Sequence, residues 1–202
     1  MTKEYSEKDV KFRPHAPVYF AMIRSMRIGN LTFNPVQEAY GLVAPPVRRQ
    51  LEDAECAGSV FVARIDPDLA DTAAFCEKYG VGLDISTNCL VIEAKRADKT
   101  WYAACLILAT DMADVNGVVR KSLDARKTSF AAMDTALKLT RMEYGGITPL
   151  GLPADWSILI DEAVMTHPLV VIGGGVRGSK IAVETKVLKM LPNAKVMEIA
   201  KK

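Results

Sequence analysis

Histidine is scarce in this sequence, and its cysteines are not grouped for metal binding. The 202 residues include two histidines, His15 and His167, which lie far apart, and four cysteines without a C-x-x-C pair. A structural zinc site needs several closely grouped ligands, and a serine hydrolase of the elbow type needs a G-x-S-x-G turn, which is missing here. The sequence therefore predicts no metal site and no serine–histidine nucleophile. The cysteines lie among apolar neighbours, and we expect them to be reduced core residues.

Long hydrophobic runs and an excess of charge of one sign are also missing. The longest apolar run, 101–109, has nine residues, whereas a membrane-spanning helix needs about 20. No apolar stretch follows the charges of the first 17 residues, so we expect no secretory leader, no membrane partner and a cytoplasmic protein. The net charge is only +2, which excludes a polybasic DNA binder of the histone kind but permits a local basic patch.

Half of the residues are hydrophobic, which is enough for a folded core, and their pattern predicts a mixed α+β fold. Residues 1–34 are polar and irregular, and we assign 1–57 to an N-terminal extension with one helix and 58–202 to the main domain. The predicted strands cover 58–65, 89–94, 102–110, 157–160, 169–172, 180–183 and 195–199. The predicted helices cover 46–55, 69–79, 115–123, 131–142 and 186–191. Several strands follow one another without a helix, which disfavours regular β-α-β winding.

A glycine-rich segment, Gly173–Gly178, matches the G-x-G-x-x-G pattern of dinucleotide-binding proteins. That pattern must open a helix inside a β-α-β unit, but the residues after Gly178 alternate and are rich in β-branched side chains. Only 24 residues follow Gly178, too few for the second half of a nucleotide domain. We therefore favour a tight hairpin, whose exposed backbone N–H groups can still line a site for an anion or a carbonyl.

The 144–153 loop, YGGITPLGLP, follows the strongest predicted helix and holds three glycines and two prolines. A helix cap alone needs one glycine, whereas a rigid loop of this composition lets the backbone approach a ligand closely. Both interpretations stay open from composition.

A basic run lies at 120–127, with the cations Arg120, Lys121, Arg126 and Lys127. It is either a solvated helix end, whose cations complement the helix dipole, or a phosphate-binding face. Charge is unevenly spread along the chain, since residues 51–100 carry 5 positive and 10 negative charges while the other segments are neutral or basic. A local basic face on a nearly neutral protein is compatible with contacts to a few phosphates.

The two glycine loops, in this order and spacing, resemble the YbaK/ProX family of aminoacyl-tRNA deacylases over about residues 58–192. The Gly-x-x-x-Pro signature of that family falls on Gly145 and Pro149, and its strand–glycine turn falls on Gly175, Arg177 and Gly178. The resemblance implies a mixed, partly barrel-like sheet of about seven strands flanked by helices. It also implies an enzyme without metal or cofactor, which acts in trans on the acceptor end of a misacylated tRNA and hydrolyses the ester at the 3′-terminal ribose.

The resemblance assigns roles to individual residues. The catalytic candidates are Asn88, Gly145, Gly146, Thr148 and Pro149. The substrate-binding candidates are Gly173, Gly174, Gly175, Arg177 and Lys180. The RNA-binding candidates are Arg120, Lys121, Arg126 and Lys127.

The chain departs from the family at Asn88, where relatives usually carry a lysine, and at Gly173, where they often carry serine. Asparagine keeps a hydrogen-bond donor and an acceptor but loses the charge, and Lys180 or Lys127 are the alternative sources of a cation. The competing hypothesis is a degenerate relative that binds tRNA ends or a small ligand without hydrolysis. A nucleotide-dependent oxidoreductase built on Gly173–Gly178 is the third and weakest. The amino acid removed and the oligomeric state stay open.

Overall fold

Two five-stranded β-sheets form the framework of the protein in a computed structural model that describes residues 25–52 and 55–201. In spatial order, the first sheet contains β1 (Met26–Ile28), β2 (Leu31–Pro35), β3 (Val60–Arg64), β9 (Ser179–Glu184) and β8 (Leu169–Gly173), all antiparallel. The second contains β10 (Ala194–Met197), β7 (Ser157–Asp161), β5 (Lys99–Leu108), β4 (Thr87–Arg96) and β6 (Lys127–Phe130). Because β7 pairs parallel with both of its neighbours, this sheet is mixed, and the α+β class is confirmed.

The helices are short and lie around the sheets. They are α1 (Pro45–Glu52), α2 (Thr72–Tyr79), α3 (Arg120–Ser122), α4 (Met133–Thr140) and α5 (Thr185–Lys189). Each falls inside or beside a predicted helix, although residues 53–54 of the first prediction lie outside the described residues, and α3 is preceded by a π-helical turn. Within the described ranges, no helix has the length and apolar character needed to cross a membrane.

All seven predicted strands are present, and three more were missed. Residues 26–35, which the sequence pattern assigns largely to an irregular extension, form the hairpin β1–β2, and β2 then pairs with β3. The irregular assignment is therefore wrong for 26–34, while residues 1–24 lie outside the described part of the chain. The third missed strand, β6, pairs with β4. The connection between the predicted strands 89–94 and 102–110 is also shorter than predicted, because β4 extends to Arg96 and β5 begins at Lys99.

The main core lies between the two sheets. It joins Val62, Ile172 and Ile181 of the first sheet to Leu106 and Ile160 of the second, and each of these side chains is almost fully buried. Burial of such side chains contributes roughly 1.5–3 kcal/mol each. Two further buried clusters contain the alternate residues of the same strands, which explains why several strands are apolar on both faces.

A seam between the sheets places the start of β4 beside β8. Ser86 forms a parallel bridge with Val171, and the Thr87 hydroxyl donates a hydrogen bond of 3.1 Å to the Val171 carbonyl. Thr87 is thus fixed to β8 at Val171, two residues before the glycine turn begins at Gly173. Asn88 follows Thr87 directly in the chain and is held close to that turn.

The carboxylate of Asp161, at the end of β7, fixes the C-terminal segment. It is 3% exposed, and its Oδ2 accepts hydrogen bonds from the Ile199 and Ala200 N–H groups at 2.6 and 2.8 Å. Its Oδ1 accepts one from the Ala163 N–H at 2.9 Å.

We expect Asp161→Asn to lower the free energy of unfolding by roughly 1–2 kcal/mol, because an amide nitrogen would face N–H donors in a buried site. Urea unfolding measures this.

The matched control is Asp155→Asn, on an exposed side chain, which should change the free energy of unfolding by less than about 0.5 kcal/mol. Equal stability of the two variants would contradict the role given to Asp161.

Candidate active site

The two glycine loops found in the sequence lie against each other. The Gly175 N–H donates to the Gly146 carbonyl at 2.7 Å, and the Glu143 N–H donates to the Gly175 carbonyl at 2.9 Å. A Cβ on Gly146 would lie 2.7 Å from the Val176 carbonyl, and one on Gly173 would lie 2.3 Å from the Gly146 oxygen. Backbone touches backbone at these positions, so the glycines are required by packing.

The hairpin prediction for 173–178 is confirmed. Strand β9 follows the turn directly and pairs antiparallel with β8, and Gly175 has a φ of +80° that glycine adopts without strain. A dinucleotide fingerprint requires a helix at this point, so the oxidoreductase hypothesis loses its structural basis.

A cavity of about 370 Å³ opens beside this pair of loops. Its walls come from the start of α2, the first half of β4, the end of β6, the start of α4 and both loops. The lining residues are Ala70, Asp71, Thr72, Thr87, Asn88, Cys89, Leu90, Val91, Phe130, Ala131, Met133, Ala136, Tyr144, Gly145, Ile147, Gly173, Arg177 and Lys180. The cavity thus combines an apolar side with several groups that can bind a polar ligand, as ligand sites usually do.

The structure brings five of the candidate residues to this cavity and leaves the other loop residues behind its wall. Those that line it are Asn88, Gly145, Gly173, Arg177 and Lys180. Gly146, Gly174 and Gly175 join the loops to each other and to the chain before α1, where the Ala44 N–H donates to the Gly174 carbonyl. Thr148 is fully buried, and Pro149 lines a separate cleft next to α1.

Asn88 is held by a neighbour that sequence reasoning missed. Its Oδ1 accepts a hydrogen bond of 2.8 Å from the Thr72 hydroxyl, at the start of α2, where the Asp71 carboxylate caps the helix by accepting from the Ala73 N–H. The Asn88 side-chain nitrogen has no partner in the described part of the chain. It can therefore donate to an oxygen of a bound ligand.

Lys180 is the buried cation of the site. The residue is 5% exposed, its Nζ donates to the Ala70 carbonyl at 2.9 Å, and the ammonium lies 5.1 Å from the centre of the Phe75 ring. Burial lowers the pKa of Lys180 from 10.5 to about 8, against the opposing influence of Cys76 and Asp71. In the described residues no carboxylate lies within 4.0 Å of Nζ.

The cysteines near the site are not poised for nucleophilic attack. Burial raises the pKa of the Cys89 thiol, which lines the cavity, far above its ordinary value, and burial also raises the pKa of Cys76. A thiolate is the reactive form of cysteine, so at neutral pH neither side chain attacks a carbonyl. Three cysteines, Cys76, Cys89 and Cys105, are free thiols, while the Cys56 side chain lies outside the described residues.

An aromatic and cationic rim surrounds the cavity mouth. Phe130 and Tyr144 are 63% and 57% exposed, the Arg177 guanidinium lies 6.0 Å from the centre of the Tyr144 ring, and Arg177 also donates to the Tyr144 carbonyl at 3.1 Å. Exposed aromatic faces beside a guanidinium are typical of surfaces that stack against planar bases.

The basic run does not line the cavity. Arg120 and Lys121 lie on α3, whereas Lys127 begins β6 and pairs with Lys95 of β4. The 120–127 run therefore extends from α3 to the start of β6, and Phe130, at the far end of β6, reaches the rim. Lys127 is thus about 10 Å from the rim along the strand, at 3.3 Å per residue.

Helix α1 supports both loops from behind, which the sequence did not indicate. A Cβ on Gly175 would lie 2.4 Å from the Ala44 Cβ, and one on Gly151 would lie 2.5 Å from the Pro46 carbonyl carbon. The Gln50 side chain also accepts a hydrogen bond from the Gly151 N–H. The segment before residue 57 therefore takes part in shaping the loops of the site.

Comparison with known proteins gives one family match and several structural matches. Residues 66–191 match the model of the aminoacyl-tRNA editing domain. A crystal structure of a candidate trans-editing enzyme for prolyl tRNA synthetase has a TM-score of 0.67 at 19% identity, over 79% of this chain and 99% of that one. The structure of a protein of unassigned function has a TM-score of 0.62 at 16% identity, over 69% and 90% of the two chains. The mixed fold with its curled sheet is shared with these structures.

Proposed function

This chain belongs to the aminoacyl-tRNA editing domain family, and from that premise we propose that it hydrolyses the ester between a wrong amino acid and the 3′-terminal ribose of a tRNA. The carrying observation is the juxtaposition of the Gly145 loop, the Gly173 turn and the polar groups of Asn88 and Lys180 around one cavity. The aminoacyl group enters the cavity, and the acceptor end of the tRNA lies across the rim. The enzyme acts in trans in the cytoplasm, where charged tRNAs are used.

The reaction relies on positioning. An aminoacyl ester is an activated bond, so orientation of water and stabilisation of the carbonyl oxygen are enough to speed its hydrolysis without a strong side-chain base. Backbone groups of the Gly145–Pro149 loop position the water and the scissile carbonyl. The Asn88 amide orients the ribose or the amino group, and the Gly173–Gly175 turn shapes the pocket for the amino-acid side chain.

Contacts to the tRNA phosphates fall to the basic run and the rim. Arg120 and Lys121 on α3, Arg126 in the following turn and Lys127 at the start of β6 lie outside the cavity, where they can reach the acceptor stem while the 3′ end occupies the site. Few phosphates are contacted, so affinity is weak and falls steeply with salt. Weak binding suits an enzyme that must release correctly charged tRNAs.

A panel of mischarged tRNAs tests the function. The purified protein is mixed with each radiolabelled aminoacyl-tRNA, and release of the amino acid is followed over the spontaneous rate. We expect release from at least one mischarged tRNA, slower release by Asn88→Ala because a ligand-facing donor is lost, and retained release by Asn88→Lys. Asn116→Ala, on an exposed side chain outside the cavity, is the matched control.

A binding module without hydrolysis is the second candidate. The observation that favours it concerns Asn88, an uncharged amide at the position where the resemblance places a lysine. A hydrogen bond from the Thr72 hydroxyl holds this amide in place. Saturable binding of tRNA without release of any amino acid in the same panel would establish this candidate and overturn the first.

A further inference from the structure

We propose that Lys180 is a catalytic residue whose ammonium stabilises the negative charge that develops on the ester carbonyl oxygen during hydrolysis. This inference rests on the proposed function and assigns the group that holds the transition-state charge. It differs from a role in binding tRNA phosphates, which is the alternative that the experiment must exclude.

Lys180 is buried without a carboxylate from the described ranges in contact with its ammonium. A buried charge is costly unless it is paired, and buried lysines normally have a carboxylate beside them. In the described residues Lys180 has none within 4.0 Å, and a single backbone carbonyl, that of Ala70, occupies one of its three N–H donors. Lys180 is also one of the residues that line the cavity. The Asp71 carboxylate acts on Lys180 only from beyond 4.0 Å and already caps α2, so the ammonium can bind an anion that a ligand brings.

The ammonium of Lys180 lies close to both glycine loops. Ala70, whose carbonyl accepts the hydrogen bond from Nζ, packs against the 144–153 loop, since a Cβ on Gly145 would lie 3.2 Å from the Ala70 Cβ. On the other side, Lys180 pairs with Gly173 across the β8–β9 hairpin. The cation is therefore enclosed by the two loops that would hold the ester. A phosphate would have to leave water to reach it, whereas Arg177 at the rim is accessible to a phosphate from solvent.

The hydrolysis consumes one water molecule and needs no other reactant. Water adds to the carbonyl carbon, the carbonyl oxygen takes the electron pair and becomes negative, and the C–O bond to the ribose breaks as that pair returns. The proton from water leaves on the ribose oxygen. A preorganised cation in a site that excludes water stabilises the negative intermediate more than the neutral ester, which lowers the barrier.

The pH dependence adds a distinguishing property. The groups that face Nζ are Asp71, Phe75 and Cys76 from the start of α2 and Arg177 from the turn, while its strand neighbours Ala63 and Gly173 carry no titratable group. With a pKa of about 8, Lys180 is charged at neutral pH and loses its charge in mildly basic solution. The catalytic advantage that it supplies is expected to be lost over the same range.

The test compares wild type, Lys180→Met and the exposed-site control Lys99→Met from pH 6 to pH 10. At pH 7 we expect Lys180→Met to lower kcat about 100-fold, the usual cost of removing one oxyanion donor, with KM changed less than about threefold. Dividing the wild-type rate by the Lys180→Met rate cancels the intrinsic pH dependence of the ester, and this ratio should fall as the pH passes 8. Lys99→Met should follow wild type.

A second readout does not depend on turnover. An adenosine linked to an aminoacyl phosphonate mimics the negative tetrahedral intermediate, and the corresponding 3′-amide mimics the ester ground state. Lys180→Met should weaken phosphonate binding about 100-fold and amide binding little. An unchanged kcat of Lys180→Met would overturn the inference. An unchanged kcat together with a raised KM and a reduced salt dependence would in addition assign Lys180 to phosphate binding. Wild-type protein that releases no amino acid would instead overturn the proposed function.

Discussion

Replacing Gly173 with alanine is expected to lower kcat/KM for deacylation by about 100-fold. The added Cβ would lie 2.3 Å from the Gly146 oxygen and 2.7 Å from the Ile147 oxygen, and both atoms belong to the backbone of the 144–153 loop. Because the loop cannot yield by a side-chain rotation, it must move away from β8, and a displacement near 1 Å in a positioned site costs on the order of 10²-fold in rate. Deacylation kinetics with the best substrate of the panel measure the loss.

The matched control is Gly41→Ala, because a Cβ at Gly41 would have no atom within 4 Å. That variant should keep wild-type activity and stability. Circular dichroism of Gly173→Ala must show a native spectrum, so that the lost rate reports the displaced loop. A folded Gly173→Ala with full activity would show that the contact between the two loops does not position the substrate.

Burial in the core separates most of the predicted strands from the short edge strands β1 and β6, which the sequence pattern missed. The seven predicted strands carry continuous or alternating apolar residues because most are paired on both sides or covered by the main core, as β3, β5 and β9 are. Of the missed strands, β2 lies inside the first sheet, whereas β1 and β6 are sheet edges of three and four residues in which only Thr128 is buried. Such segments form strands because a neighbour pairs with them, and that pairing is not encoded in their own periodicity.

The site was predictable to the extent that it depends on local backbone requirements. The glycines and prolines of 144–153 and 173–178 exceed what caps and turns need, and this excess marked both loops. The burial of Lys180, its hydrogen bond to Ala70 and the support from α1 depend on residues 100 or more positions apart in the sequence. An alternating strand with one lysine is also typical of a solvent-exposed face, so its pattern could not distinguish a buried ammonium from an exposed one.

The catalytic assignment of Lys180 implies that the protein gives up stability for it. The folded state lowers the pKa of Lys180 from 10.5 to about 8, so below pH 8 it must hold a buried proton that the unfolded chain binds more tightly. At about 1.4 kcal/mol for each pH unit, this difference destabilises the folded protein by roughly 3 kcal/mol at pH 7. Functional groups in strained or desolvated positions commonly lower stability in this way.

Lys180→Met, with its kcat lowered about 100-fold, is therefore expected to be more stable than wild type by roughly 2 kcal/mol at pH 7, after about 1 kcal/mol is subtracted for the lost hydrogen bond to Ala70. This gain in the free energy of unfolding should shrink from pH 8 to 10.5. Over that range the unfolded wild-type chain still binds the proton, whereas the folded protein has released it, so wild type becomes more stable as the pH rises. Urea unfolding of both proteins at pH 7, 9 and 10.5 measures the difference, with Lys99→Met as the control for removing a lysine. A constant difference across this range would mean that Lys180 is not desolvated in the folded protein, and a loss of stability at pH 7 would mean that its contacts outweigh the cost of its burial.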